Sequence, residues 1–167
     1  MLRPFTKADY QTLIDWVDTP ELLFRFSGPD IDFPLTAEKL DQHIQNHPDR
    51  RYYVASDPEL GDYAFGEVIP QDNNVPRLAR LLVGRRDLRG KGLGVQFIRL
   101  LLDECVRLYG TNRVELYVLL DNDAAIRCYQ KVGFQFIPGS EVPMNFEGKM
   151  YLARKMFIDL DQNPASI

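Results

Sequence analysis

The sequence is 167 residues long, with 45% hydrophobic residues, 26% charged residues and a formal net charge of −4. This composition predicts a soluble globular protein of one domain, residues 1–167, because such a chain can bury a core and is too apolar to stay disordered. The acidic balance argues against a nucleic-acid partner, and no apolar run approaches the ~20 residues of a membrane-spanning helix.

The first residues lack the apolar core of a signal peptide, so we expect a cytoplasmic protein. Cys105 and Cys128 fall in predicted helices without metal-type spacing, which favours reduced thiols in the core. His43 and His47 lie four residues apart on a predicted helix, without a third ligand. We therefore expect no metal, and a solvated helix face at these histidines.

The first part of the chain predicts two helices joined by a long connection. Thr6 can cap a helix that runs to about Val17, and a second helix starts after Thr36 and ends near Gln45. The aromatic and proline-containing residues 21–36, ELLFRFSGPDIDFPLT, are predicted to form an irregular connection between them.

Strands then alternate with two further helices. Apolar runs separated by turn residues predict strands at 51–55, 63–69 and 77–83. Hydrophobic periodicity next predicts a helix at 92–108, a strand at 112–120, a helix at 122–133 and strands near 134–137 and 149–157. We see no repeat or linker, and this order of elements predicts an α/β fold.

The charges are unevenly distributed along the chain. The first 76 residues carry six Lys/Arg and 14 Asp/Glu, whereas the remainder carries 14 Lys/Arg and 10 Asp/Glu. Basic residues crowd around one glycine-rich stretch, where Asp87 is the acid among them: Arg77, Arg80, Arg85, Arg86, Arg89 and Lys91. Such a local positive field suits an anionic ligand, although a solvated surface has the same composition.

The glycine-rich stretch itself, RDLRGKGLG at residues 86–94, lies at a strand-to-helix junction. The first N–H groups of a helix lack partners within it and attract anions, so a phosphate could bind there. The spacing fails the Walker motif, because Arg85 stands where its first glycine belongs. It also fails the dinucleotide motif, because Val95 or Phe97 stands at its last glycine.

The stretch does contain Arg-x-x-Gly-x-Gly, as Arg89-Gly90-Lys91-Gly92-Leu93-Gly94, and this resembles the pyrophosphate loop of the GNAT superfamily of acetyl-CoA-dependent N-acetyltransferases. Residues 116–134, LYVLLDNDAAIRCYQKVGF, resemble that family's following strand and helix. Residues 2–16, LRPFTKADYQTLIDW, resemble the branch that contains ribosomal-protein N-terminal and small-molecule acetyltransferases.

The resemblance implies a fold: a GNAT-like α/β domain with a central, mixed, mostly antiparallel twisted sheet of about six or seven strands and about four helices. In the family, the sheet splays open between the strands that correspond here to 77–83 and 113–119, and the pantetheine arm lies in the gap. A bulge in the first of these strands would free an N–H group for the thioester oxygen.

The resemblance also implies acetyl-CoA as the acyl donor, with no metal. The residues that match the family's cofactor-binding positions are Leu81, Leu82, Val83, Arg89, Gly90, Lys91, Gly92, Leu93, Gly94, Asn122, Ala125, Tyr129 and Lys131. Tyr129 matches the usual general acid for the departing thiolate, and its alternative is a core aromatic. Glu67 is our candidate for the general base, through a water, with Glu115 as the other carboxylate; Tyr117 stands where some relatives have glutamate.

For the acceptor site, the resemblance points to the first helices and their connection. We expect Trp16, Phe26, Asp30 and Tyr117 to line it, with Phe24, Asp32 and Phe33 nearby, because aromatic rings and acids suit a cationic amine. A small-molecule amine is the favoured acceptor, with a protein N-terminus or lysine as the alternative. A monomer or homodimer is expected, and a non-catalytic acyl-CoA-binding sensor or interaction module stays open as a different class of function.

Overall fold

A central sheet and the helices on its two faces make up the computed structural model, which describes residues 1–160. The strands of this region are β1 (Leu2–Pro4), β2 (Arg51–Asp57), β3 (Gly61–Ile69), β4 (Arg77–Val83), β5 (Arg113–Leu119), β6 (Gln135–Phe136), β7 (Val142–Phe146) and β8 (Lys149–Asp159). The α-helices are α1 (Tyr10–Trp16), α2 (Pro20–Ser27), α3 (Ala37–Asn46), α4 (Leu93–Tyr109) and α5 (Asp123–Val132). Short 3₁₀ turns occupy Lys7–Asp9, Gly28–Asp30 and Arg86–Leu88.

The strands form one mixed sheet in the order β1-β2-β3-β4-β5-β8-β6, with β7 paired to β8. Neighbouring strands are antiparallel except for β4 and β5, which are parallel. The mixed, mostly antiparallel sheet is as predicted, with eight strands and five α-helices in the described region instead of six or seven and about four. No helix of residues 1–160 has the length and apolar character to cross a membrane.

Two apolar cores hold the helices on opposite faces of the sheet. On one face, α4 and α5 pack against the strands through residues such as Phe97, Leu101 and Val132. On the other face, α1, α2 and α3 pack against Phe65 and Leu82. Because each face is covered by helices, the central strands read as nearly continuous apolar runs, which is why the sequence reveals them.

The first half differs from the prediction at residues 21–36, because α2 occupies Pro20–Ser27. Thr19 caps this helix by accepting a hydrogen bond from the Leu22 amide at 3.1 Å, and Pro20 stands at its first position. Both features are helix-start signals, and the aromatic residues that suggested a connection form its buried face. Strands β1 and β7 were also missed. The three-residue β1 pairs with β2, about 50 residues away, whereas β7 pairs with the adjacent β8 across the turn at Glu147 and Gly148.

Candidate active site

The sheet opens into a cleft where β4 and β5 separate. These parallel strands pair at two positions, Arg77 with Glu115 and Leu78 with Leu116, and diverge beyond them. A cavity of about 640 Å³ fills the gap, with walls from β4, β5, α2 and its following turn, the start of α5, and β7. The predicted splay between these two strands is therefore present in the structure.

A bulge on β4 lies at the edge of this cleft. Leu82 pairs with Phe65 and Ala79 with Glu67, so that Arg80 and Leu81 together oppose one residue of β3. Arg80 has a φ of 49°, in the left-handed region that side chains rarely adopt. Bulges leave ladder groups unpaired and are enriched next to active sites, where such strain is retained because the surroundings hold it in place.

The glycine-rich stretch forms the turn into α4. Gly90 and Gly92 have φ values of 75° and 83°, and a Cβ at either would meet no atom within 4 Å, so their outer side is open. No side chain caps α4 and no acid lies in its first turn, so no described side chain satisfies its first amides. Arg89 anchors the turn by donating from Nε to the Val83 carbonyl at 2.9 Å. This arrangement can bind a phosphate.

Gly94 has a different surrounding from the two turn glycines. A Cβ at Gly94 would lie 3.2 Å from Sγ of Cys128, so this glycine lets α4 and α5 approach closely. Lys91 and Lys131 are exposed, whereas Leu93 is buried in the core.

Helix α5 places its first turns in the cleft. Asn122 caps the helix by accepting from the Ala125 amide at 3.3 Å, and both residues line the cavity. Tyr129 also lines the cavity and is 9% exposed, and its hydroxyl makes no hydrogen bond with any residue of 1–160. Burial raises the pKa of its hydroxyl, which therefore stays protonated at neutral pH. A protonated, unengaged hydroxyl in the cleft can donate to a ligand.

The candidate base Glu67 is fully buried behind β4 and already engaged. Its Oε1 accepts from Arg50 at 2.7 Å, its Oε2 accepts from Arg80 at 3.0 Å, and Nε2 of His43 lies 3.3 Å from Oε2. Burial alone would raise the pKa of this carboxyl, but the hydrogen bond with His43, the charge of Arg80 and the hydrogen bond from Arg50 lower it to about 2. A carboxylate with so low a pKa is a poor proton acceptor.

His43 is therefore not on a solvated face, as the sequence suggested, but is buried against Glu67. Within residues 1–160, no three side chains of His, Cys, Asp or Glu gather as a metal site.

Three of the four predicted acceptor-site residues line the cleft: Phe26, Asp30 and Tyr117. Trp16 does not, since its ring packs on the backbone of Gly84, where a Cβ would lie 1.9 Å from the indole. The structure thus places Trp16 against the residue that follows β4 and not in the cleft. Leu81 lines the cleft, whereas the neighbouring Leu82 is buried in the opposite core.

The sequence did not predict the wall of the cleft that α2 and the β7–β8 hairpin form together. The hairpin of β7 and β8 packs against α2, where the rings of Phe24 and Phe146 stack at 4.6 Å. Arg25 of α2 also bridges to Asp121 beyond β5, with contacts of 3.0 and 2.9 Å. Helical signals at Thr19 and Pro20 could have placed α2 there, but nothing local in the sequence pairs it with the hairpin.

Comparison with known proteins places this cleft in a family. The family model for the acetyltransferase (GNAT) domain matches residues 1–135. The chain belongs to the GNAT acetyltransferase family. This membership confirms the predicted fold and the predicted enzyme class, an N-acetyltransferase that uses acetyl-CoA.

Among curated relatives of this GNAT chain is the spermine/spermidine N(1)-acetyltransferase of Bacillus subtilis (strain 168), 32% identical over 107 residues, or 63% of this chain and 67% of the relative. Another is the spermidine N(1)-acetyltransferase of Escherichia coli (strain K12), 29% identical over 141 residues, or 80% of this chain and 71% of the relative. A solved structure of spermidine N-acetyltransferase from Vibrio cholerae, in complex with CoA and spermine, superposes with a TM-score of 0.81. It is 17% identical and covers 97% of this chain and 96% of its own, so the likeness establishes the fold.

Proposed function

We propose that this GNAT protein transfers the acetyl group of acetyl-CoA to a primary amine of a small molecule held in the cleft between β4 and β5. The curated relatives are named for small amines, spermine and spermidine. A cleft of about 640 Å³ is also within the usual range for small-molecule sites. The observation that carries the proposal is the opening of β4 from β5 with the free Tyr129 hydroxyl in the gap.

In this proposal the pyrophosphate of acetyl-CoA binds at the start of α4, against the amides that follow Gly92. The pantetheine arm then runs into the gap, where its amides replace the ladder partners that the separating strands lack. The bulge brings the backbone of Leu81 to the cleft, and its amide is our candidate donor to the thioester oxygen as negative charge develops.

The reaction requires a neutral amine, because an ammonium group has no lone pair. The amine nitrogen attacks the thioester carbon, the C–N bond forms, and the C–S bond breaks. Tyr129 donates a hydrogen bond to the departing thiolate. Because burial raises its pKa, this tyrosine is a weaker acid than a thiol, whose reference pKa is ~8.5. The hydroxyl therefore stabilises the thiolate by a hydrogen bond and does not transfer its proton completely.

We propose that the proton of the amine leaves to water, since Glu67 is engaged with Arg50 and Arg80. Glu67 then acts as a positioning residue. It holds Arg80, which also bridges at 3.0 Å to Asp30 on the turn after α2, so the buried carboxylate fixes the bulge and the acceptor wall together.

The test is release of free CoA thiol from acetyl-CoA with a panel of primary amines and, in parallel, peptides with free N-termini and lysines. We expect acetylated small amines and little reaction with peptides. Turnover of peptides alone would favour the alternative, a protein acetyltransferase. CoA binding without thiol release for any acceptor would favour a non-catalytic acyl-CoA-binding module.

A further inference from the structure

The wall of the acceptor side is rich in guanidinium groups. Four arginines line the cleft, Arg25, Arg50, Arg77 and Arg80, and among the described lining residues Asp30 is the one carboxylate. A cleft shaped for a polyamine, which carries several positive charges and no negative charge, would be expected to show the reverse balance.

Three of these arginines already have carboxylate partners. The ion pairs are Arg25 with Asp121 at 2.9 Å, Arg50 with Glu67 at 2.7 Å, and Arg80 with both Glu67 and Asp30 at 3.0 Å. Asp30 is thus engaged, and its side chain is 68% exposed, so little negative charge is left to hold a cationic ligand inside.

Arg77 is different, because it makes no ion pair or hydrogen bond with any side chain of residues 1–160. Its Nε is buried without a partner, and its guanidinium lies 5.4 Å from the ring centroid of Tyr117, which also lines the cleft. Glu115, its register neighbour on β5, is occupied by Lys155 at 3.2 Å. Arg77 therefore presents an uncompensated positive charge, with its fork held over an aromatic ring, at the closed end of the cleft.

We propose that the acceptor is an amine that also carries a carboxylate, of the amino-acid class, and that Arg77 binds that carboxylate. This inference rests on the proposed function. A planar guanidinium matches a carboxylate through two parallel hydrogen bonds, and a buried charge gains most from a partner of opposite sign. Arg77 lies three residues before the bulge at Arg80, about 10 Å along the strand. The carboxylate would thus be held at the closed end while the amine faces the thioester.

The test compares matched amines that differ only by the carboxylate: L-lysine against 1,5-diaminopentane, and L-ornithine against 1,4-diaminobutane. For the wild-type protein we expect kcat/KM to favour the amino acid by about 10- to 100-fold, the value of a charged hydrogen-bonded pair. Arg77→Met should abolish most of that preference while the melting temperature and the Kd for acetyl-CoA stay near wild type. Arg77→Lys should restore part of it, because the charge returns without the fork.

Arg154→Met is the matched control. Arg154 also has a buried Nε without a partner and lies over a ring, that of Phe136 at 5.3 Å, but it is outside the cleft and, unlike Arg77, forms an ion pair, with Glu141. It should leave the preference unchanged. Diamines acetylated as well as or better than the amino acids by the wild type, or a preference that survives in Arg77→Met, would overturn the inference. If the variant fails to fold, the wild-type ratio of kcat/KM values for amino acid and diamine decides by itself. If no amine of any kind supports thiol release, the proposed function is refuted instead.

Discussion

Replacing Glu67 by glutamine should destabilise the fold far more than it slows the reaction. Glu67 is fully buried and accepts from Arg50 and Arg80, with His43 beside it. Glutamine keeps the size of the side chain but removes the charge, which leaves two guanidinium groups without their compensating carboxylate. Removing one partner from a buried ion pair typically costs ~3–5 kcal/mol.

The pKa of Glu67 gives an independent magnitude. The folded protein lowers that pKa from 4.5 to about 2, and at ~1.4 kcal/mol per pH unit the shift corresponds to about 3 kcal/mol of stability. Because the folded pKa is the lower one, this stability is fully present above pH 4.5 and is lost as the pH falls towards 2. A cost of about 3 kcal/mol in a protein of this size lowers the melting temperature by ~6–12 °C.

The assay is calorimetric melting at neutral pH, together with urea unfolding at several pH values down the acid range. Glu141→Gln is the matched control, since Glu141 pairs with Arg154 at the surface and its loss should cost ~0–1 kcal/mol. A wild-type melting temperature for Glu67→Gln, or a difference from wild type that persists undiminished towards pH 2, would refute the reasoning. Turnover of the folded variant should fall much less than the ~10²–10⁴-fold expected for loss of a general base.

The other predictions concern the cofactor turn, the thiolate and the pH profile. Gly92→Asp should abolish CoA binding, measured by titration calorimetry. The control is Gly110→Asp at the opposite end of α4, where φ is 58° and a Cβ is equally free of contacts; this variant should bind CoA normally. Equal CoA affinities of the two variants would contradict the phosphate site. Tyr129→Phe should lower kcat by about a hundredfold and leave the CoA affinity and melting temperature unchanged. The control Tyr10→Phe loses a hydrogen bond to Asp41, so it should lower stability by ~1 kcal/mol and leave activity unchanged. If no side chain acts as a general base, kcat/KM should follow the fraction of neutral amine and rise about tenfold per pH unit from pH 6 to 8 for an amine of pKa ~10. A plateau in this range would indicate a base that titrates there.

The turn formed by the glycine-rich stretch and the main strands of the sheet could be predicted from the sequence, because their signals are local. Three glycines between an apolar strand and a helical stripe specify a turn with exposed amides, and the structure has that turn at Gly90 and Gly92. The strand β4 is predicted with its observed bounds, Arg77–Val83, because five of its seven residues are apolar and turn residues precede it.

The acceptor side was less accessible because it is assembled from distant segments. Glu67 was expected to act as the general base, yet Arg50 and Arg80, from other parts of the chain, form ion pairs with it in the interior. Trp16 is of a residue type that is common in ligand sites, but here its ring packs on Gly84, whose missing side chain leaves room for it. Long-range complementarity of this kind leaves no periodic or spaced pattern in the sequence.

A crystal structure of the protein with CoA tests the central claim most directly. We predict the pyrophosphate against the first amides of α4 beside Gly92, the pantetheine arm between β4 and β5, and the sulfur within hydrogen-bonding distance of the Tyr129 hydroxyl. CoA bound outside the gap between the two strands, or with its sulfur remote from both Tyr129 and the bulge at Leu81, would contradict the account.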